Sequence, residues 1–272
     1  MQQIDVNGCR FNLRIDGDGH GPWVTLAHGL ATDLSMWDDL AGVLSRRYRV
    51  LRYDARGHGR TPATRGDYSW GLLVGDAVAL LDRIGIEQTH FVGLSMGGMV
   101  GLGVALGHAD RLLSLSACDA RAEATEEYNH GWVERVQIVR TGGMGALVER
   151  TLKRWFTPAF LAHPSQRLEK MRAMMRATSP DGYCGCAAAL QTLDYARQLG
   201  SLHVPTLYVV GAQDLGAPPN VVRAMHRATP GSQYVEIPDA GHISAVERPD
   251  EFNNAIVTFL DRVDAHSDTP TA

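Results

Sequence analysis

The chain has 272 residues, of which 44% are hydrophobic and 21% charged, as is ordinary for a globular protein. Its 26 basic and 30 acidic residues give a formal net charge of −4, which leaves no electrostatic case for binding nucleic acid or a membrane surface. The N-terminus lacks the basic and apolar segments of a signal peptide, and no apolar run is long enough to span a membrane. We therefore expect a cytoplasmic protein with one large α/β domain or two small ones.

The cysteines and histidines predict neither a metal site nor a cofactor site. Cys9, Cys118, Cys184 and Cys186 form no C-x-x-C pair, and the last two are too close in sequence for an easy disulfide. The eleven histidines show no spacing typical of metal ligands. We expect the cysteines to be small apolar fillers or free thiols.

Strand and helix patterns alternate along the first part of the chain. Residues 2–16 alternate apolar and polar side chains on either side of Asn7-Gly8, which predicts an N-terminal hairpin. In chain order the pattern then predicts a strand over 23–27, a helix from 35, a strand over 48–53, a helix over 70–84 ended by Gly85, a strand leading to Ser95, a helix, and a strand over 112–118.

Residues 120–200 break this alternation and predict a helical lid over the site. The lid carries helical patterns over 132–140, 144–155, 168–177 and 186–197, with no strand pattern between them. The alternation resumes with a strand over 206–210, a helix over 221–228, a strand over 234–237 and a helix over 249–263. We assign residues 1–119 and 201–264 to the core, 120–200 to the lid, and 265–272 to a disordered polar tail.

Alternating units of this kind predict a mostly parallel, doubly wound sheet. Right-handed crossovers bring the carboxyl ends of its strands to one edge, where sites gather. His28, Asp54, Ser95 and Asp119 all follow such strand ends.

The stretch Gly93–Gly98 has the pattern G-x-S-x-G between an apolar strand and an apolar helix. In that context the serine occupies a sharp, strained turn that only small neighbours tolerate. The turn exposes the Ser95 hydroxyl at a helix N-terminus, where a developing anion is favoured. We interpret Ser95 as a nucleophile.

A base and an acid for this nucleophile follow later in the chain. His242 lies in a glycine-bearing loop after the last strand and can take the proton of Ser95. Asp214 follows the strand before it and can orient His242, giving the chain order Ser, Asp, His. Asp119 is a competing acid, because it ends the strand after the nucleophile helix. We favour Asp214, since its loop is expected to lie beside the loop of His242, and we assign Asp54 a structural role in the turn after it.

The stretch His28-Gly29-Leu30 follows the strand expected beside the nucleophile strand. The backbone N–H groups of Leu30 and Met96 can therefore point at one oxygen and form an oxyanion hole.

Together these features resemble the α/β-hydrolase superfamily over nearly the full chain, and residues 3–262 are similar to the 3-oxoadipate enol-lactonases. The resemblance implies the α/β-hydrolase fold with a helical lid and no cofactor. Two features depart from that family: Asp119 stands where Asn is expected, and residues 121–130 differ from their counterpart. The stretches that carry the resemblance are Thr32–Trp37, Arg49–Gly59, Gly93–Gly98, Arg154–Thr157 and Gly182-Tyr183.

The resemblance implies a small enol lactone with a carboxylate as the substrate, hydrolysed to 3-oxoadipate. It suggests Arg135 and Trp132 as partners of that carboxylate, with Trp155 as a further substrate-binding residue; the alternative is a solvated arginine and core tryptophans. A general esterase, a lactonase for another ring, a carbon–carbon bond hydrolase or a non-enzymatic receptor would keep the same triad. A dehalogenase or an epoxide hydrolase would need a carboxylate nucleophile in place of Ser95.

Overall fold

Eight strands form one sheet in a computed structural model that describes residues 1–267, with side chains through residue 266. Their spatial order is β1-β2-β4-β3-β5-β6-β7-β8. The pairs β1–β2 and β2–β4 are antiparallel, and all the other neighbours are parallel, so the predicted mostly parallel sheet is confirmed. In chain order the strands are β1 (Gln2–Val6), β2 (Cys9–Asp16), β3 (Trp23–Ala27), β4 (Arg49–Tyr53), β5 (Thr89–Leu94), β6 (Leu112–Cys118), β7 (Thr206–Gly211) and β8 (Gln233–Ile237).

Helices connect these strands and fill the segment between β6 and β7. None of the helices in the described part of the chain is both long and apolar enough to span a membrane. In chain order they are α1 (Asp38–Leu44), α2 (Trp70–Ile84), α3 (Met96–Gly107), α4 (Glu126–Gly142), α5 (Val148–Trp155), α6 (Pro158–Leu161), α7 (Gln166–Ala177), α8 (Pro180–Leu190), α9 (Pro219–Ala228), α10 (Ser244–Glu247) and α11 (Pro249–Ser267).

Local sequence explains where these elements turn and end. Asn7 and Gly8 have φ angles of 47° and 69°, and a tight hairpin turn of this kind needs a positive φ at both positions. The Ser69 hydroxyl accepts the N–H of Leu72 at the start of α2, and Gly85 ends that helix with a φ of 80°. The predicted hairpin and the predicted end of α2 are therefore confirmed.

The parallel strands are covered by helices on both faces, and this burial sets the position of the site. Every residue of β5 and β7 is buried, as expected for strands with no solvent-facing side. Since β3, β5, β6 and β7 are successive neighbours, their carboxyl ends lie side by side. The residues that follow these ends therefore meet at one edge.

The helices differ from the sequence predictions in several places. The predicted helix over 186–197 is wrong in its bounds: α8 begins at Pro180, capped by the Ser179 hydroxyl, and ends at Leu190. The short helix α6 was not predicted, and α1 is preceded by a 3-10 turn, Leu34–Trp37, in place of a continuous helix. Between β6 and β7 the only strand-like pairing in the described chain is an isolated bridge between Glu123 and Asp194.

The prediction of a disordered tail from residue 265 is wrong for its first three residues. Helix α11 continues through Ser267, because 265–267 carry no proline or glycine that would stop it. The remaining positions of that prediction, 268–272, lie outside the described residues.

Candidate active site

Ser95 lies in a strained turn between β5 and α3, with φ 54° and ψ −116°. A side chain on Gly93 would place its Cβ 2.2 Å from the carbonyl oxygen of Gly97, and one on Gly97 would place it 2.1 Å from that of Ala27. Both glycines are therefore required by the backbone around the serine. The Ser95 N–H donates to the Cys118 carbonyl at 2.8 Å and so joins the turn to the end of β6.

Ser95, His242 and Asp214 form a continuous chain of hydrogen bonds. The Ser95 Oγ lies 2.9 Å from His242 Nε2, and His242 Nδ1 lies 2.9 Å from each carboxylate oxygen of Asp214. The N–H groups of Gly216 and Ala217 donate to Asp214 Oδ1 at 2.5 and 2.9 Å. A carboxylate held in this way keeps the proton of the imidazole on Nδ1 and leaves Nε2 free to accept the serine proton.

Asp119, the competing acid, makes other contacts within the described chain. Its Oδ1 accepts the N–H of Gly211 at 2.8 Å, and its Oδ2 lies 2.5 Å from the Ser244 hydroxyl. The structure therefore brings Asp214, and not Asp119, to His242.

The turn that carries Leu30 is fixed by a buried histidine. His28 Nε2 accepts the N–H of Ala55 at 2.8 Å, so the ring proton is on Nδ1, which donates to the Gly29 carbonyl at 2.7 Å. Leu30 lines the same pocket as Ser95, and Met96 is the first residue of α3, so its N–H has no partner inside the helix. His28 is thus engaged by backbone groups and is not available as the base.

A second buried histidine lies behind this turn. The ring centroids of His28 and His58 are 5.4 Å apart. Burial, together with the neighbouring His28, lowers the pKa of His58 to about 3. Asp54, the residue to which we assigned a structural role, accepts the N–H of Arg60 at 2.9 Å and that of Leu34 at 2.8 Å.

The loop of His242 is hydrogen-bonded to the segment that follows α5. The His242 N–H donates to the Trp155 carbonyl at 2.7 Å. The buried carboxylate of Glu247 accepts the N–H of Gly241 at 2.8 Å, the N–H of Thr157 at 3.0 Å and also the Thr157 hydroxyl. These bonds attach the loop of His242 directly to the segment that precedes α6.

A pocket of about 60 Å³ opens above Ser95. At roughly 10–15 Å³ for each water-sized group, it accommodates a small, compact molecule. Its walls come from the strand edge and from α4, α5 and α8. The lining residues are Leu30, Ser95, Met99, Tyr128, Trp132, Arg135, Thr151, Arg154, Trp155, Tyr183, Leu190, Gly216 and His242.

Two arginines face this pocket without a carboxylate partner in the described chain. The Arg135 guanidinium lies 4.6 Å from the ring centroid of Trp132, in a cation–π arrangement. Arg154 donates to the Leu215 carbonyl at 2.9 Å. Partial burial, together with the positive charge of Arg154, lowers the pKa of Arg135, yet a guanidinium stays charged at neutral pH. The pocket therefore favours an anionic ligand.

All three lid residues selected from the sequence line the pocket. Trp132 and Trp155 are buried, and Arg135 is half-buried. Sequence reasoning missed the parts played by Arg154 and Tyr183 in the pocket wall. Both belong to stretches that carry the resemblance to the enol-lactonases, but that resemblance does not show which side chains of a stretch enter the pocket.

Comparison with known proteins agrees with that resemblance. A family model described as the alpha/beta hydrolase fold matches residues 22–249. The chain is 32% identical to 3-oxoadipate enol-lactonase 2 of Acinetobacter baylyi, over 96% of this chain and 95% of that protein. Its structure resembles the enol-lactonase of Burkholderia xenovorans, with a TM-score of 0.92, 38% identity, and 96% of this chain and all of that chain covered (100%). It also resembles a malate-bound thermophilic esterase of Thermogutta terrifontis, with a TM-score of 0.90, 30% identity, and coverage of 97% and 99%.

Proposed function

Because this chain belongs to the α/β hydrolase fold family, we propose that it is a serine hydrolase that opens a small lactone or ester bearing a carboxylate. The substrate that best fits the site is 3-oxoadipate enol-lactone. The observation that carries this proposal is the Ser95–His242–Asp214 hydrogen-bond chain at the base of a pocket whose two arginines have no carboxylate partner among residues 1–266. Similarity to enol-lactonases over nearly the whole chain supports the choice of substrate.

The first step forms an acyl-enzyme. The Ser95 oxygen attacks the lactone carbonyl carbon while His242 Nε2 takes the hydroxyl proton. The carbonyl becomes an oxyanion that accepts hydrogen bonds from the N–H groups of Leu30 and Met96. The ring C–O bond then breaks, and the departing enolate takes the proton held by His242. It leaves readily because the resulting enol tautomerises to a ketone.

The second step releases the acid. A water molecule gives a proton to His242 Nε2 and attacks the acyl carbon, which again forms an oxyanion between Leu30 and Met96. The bond to the Ser95 oxygen breaks, and His242 returns the proton to that oxygen. Asp214 remains ionised throughout and stabilises the imidazolium in both steps.

Substrate selection is assigned to the lid. The carboxylate of the substrate pairs with Arg135, and Arg154 adds a second positive charge on the pocket wall. Trp132 and Trp155 provide flat apolar surfaces in the pocket wall for a small ring. A neutral ester would use the same triad and would leave both arginines without a partner.

The proposal is tested by comparing kcat/KM for 3-oxoadipate enol-lactone, other lactones and p-nitrophenyl esters. We expect the enol lactone to be the best substrate, with a serine-directed phosphonate adding to wild type but not to Ser95→Ala. A preference for neutral esters would make the protein a general esterase, and a preference for another ring would make it a different lactonase. Hydrolysis of a carbon–carbon bond instead, or ligand binding without turnover, would contradict the proposal.

A further inference from the structure

Asp119 contacts both of the loops that carry the partners of Ser95. It is fully buried at the end of β6, with its Oδ1 2.8 Å from the N–H of Gly211 and its Oδ2 2.5 Å from the Ser244 hydroxyl. Gly211 lies three residues before Asp214, and Ser244 lies two residues after His242. We propose that Asp119 is a positioning residue that fixes the spacing of these two loops, an inference that rests on the triad of the proposed function.

The backbone at this position supports the assignment. Asp119 has a φ of 47°, a left-handed conformation that costs a non-glycine residue about 1 kcal/mol or more. Its N–H donates to the Val209 carbonyl at 2.8 Å, so the pairing of β6 with β7 continues through the strained residue. The preceding carbonyl, that of Cys118, accepts the N–H of Ser95 at 2.8 Å. The end of β6 therefore contacts the nucleophile turn as well as the two loops.

Hydrogen bonds, and not an ion pair, hold the buried carboxyl of Asp119. The charged group that faces it is Asp214, and among residues 1–266 no arginine or lysine forms an ion pair with Asp119. Burial, and then the negative charge of Asp214, raise the pKa of Asp119 well above its ordinary value, and the hydrogen bonds from Ser244 and Gly211 oppose that rise. The Ser244 hydroxyl donates to Oδ2 and the N–H of Gly211 donates to Oδ1, so both oxygens of the side chain are held.

An asparagine can bond the same two groups without a charge, because its Oδ1 accepts the N–H of Gly211 and its Nδ2 donates to the Ser244 hydroxyl oxygen, and this gives the proposal a sharp test. The variants are Asp119→Asn, Asp119→Ala and Ser244→Ala, with Ser116→Ala as the control for loss of a buried hydroxyl on the same strand. For each variant, kcat, KM and the pH–rate profile are measured on p-nitrophenyl acetate. The low-field proton resonance of the His242–Asp214 hydrogen bond is recorded by NMR in parallel.

We expect Asp119→Ala to lower kcat by roughly 10- to 100-fold with little change in KM, because misplacement of catalytic groups by about 1 Å has effects of that size. Its low-field resonance should broaden or disappear, and Ser244→Ala should show a weaker form of both effects. Asp119→Asn should remain within about fivefold of wild type with the resonance intact, and Ser116→Ala should match wild type.

Wild-type kcat and an intact resonance in Asp119→Ala would overturn the positioning role. If Asp119→Ala does not fold, the same result in Ser244→Ala would overturn it. A loss in Asp119→Asn as large as that in Asp119→Ala, with a shifted pH–rate profile, would mean that Asp119 acts as a charge. If wild type hydrolyses no ester, the proposed function fails, while the NMR resonance still tests the positioning role of Asp119.

Discussion

The pocket has two sides, the carboxyl ends of the strands (the strand edge) and the helices of the lid (the lid wall). The two sides differ in whether their polar groups already have partners within the protein. At the strand edge, protein atoms contact both oxygens of Asp214, both ring nitrogens of His242 and both ring nitrogens of His28. On the lid wall, neither Arg135 nor Arg154 has a carboxylate partner in the described chain.

This difference suits the strand edge to the chemical reaction and the lid arginines to recognition of the substrate. Groups that already hold their hydrogen bonds need little reorganisation when charge develops, which is how a site lowers a barrier. An unpaired guanidinium instead gains most when a ligand supplies the missing anion. Changes at the edge should therefore affect every substrate alike, and changes in the lid should separate charged substrates from neutral ones.

The most severe test of the edge is Ser95→Ala. With the proposed nucleophile removed, kcat should fall about 10⁶-fold on charged and neutral substrates alike, the loss known for a serine protease without its nucleophile. Steady-state rates on both substrates, together with circular dichroism to verify folding, provide the measurement. Substantial turnover by the variant would remove the acyl-enzyme from the mechanism.

Asp214→Asn should be nearly as damaging, with a loss on the order of 10⁴-fold in kcat. The amide would favour the wrong tautomer of His242 and could not stabilise the imidazolium. The matched comparison is Asp119→Asn, measured on the same ester. If that variant were the crippled one, the acid would be Asp119.

The lid is tested by Arg135→Ala. A charged hydrogen bond of about 2–3 kcal/mol corresponds to a loss of roughly 30- to 150-fold in kcat/KM for a lactone that bears a carboxylate. Hydrolysis of p-nitrophenyl acetate should hardly change. Arg140→Ala, an exposed arginine on the same helix, is the control. Equal losses on both substrates would make Arg135 a structural residue of the lid.

The smallest expected effect concerns His58, the buried histidine beside His28. His58 has a folded pKa of about 3, below the ordinary 6.5, so its contribution to stability is full above pH 6.5 and declines as pH falls towards 3. His58→Gln should therefore lose less stability than wild type between pH 7 and 5.5, by about 1 kcal/mol. Urea denaturation at both pH values measures this difference, and His108→Gln, at an exposed site, should show none.

Much of the fold follows from short-range chemistry that is visible in the sequence. Asn7-Gly8 and Gly85 occupy positions that need a positive φ, and the buried strands are continuous apolar runs. The wrong bounds predicted for α8 also concern a short-range signal, in this case one that was overlooked. The Ser179-Pro180 pair is a standard helix start, but the apolar spacing further along the chain led to a later range.

The site could be predicted less completely, because its parts meet only through tertiary packing. Ser95 and His242 lie in loops whose sequences indicate their chemistry. In contrast, Arg154 could not be placed in the pocket before the packing of α5 was known, since its neighbour Lys153 has the same charge and is exposed. The contacts of Asp119 with Gly211 and Ser244 likewise join segments about a hundred residues apart.

The hydrogen bonds from His242 to Trp155 and from Glu247 to Thr157 have a consequence for engineering and for divergence within the family. They make the lid an unsuitable unit for simple exchange, because the segment that ends α5 also supports the backbone of His242, the proposed base. A graft that replaced the lid to change specificity would disturb catalysis unless it kept the Trp155 carbonyl in place and retained Thr157 opposite Glu247. Substitutions confined to the pocket-facing side chains of α4 leave that attachment untouched, and they offer the more independent route to a new substrate.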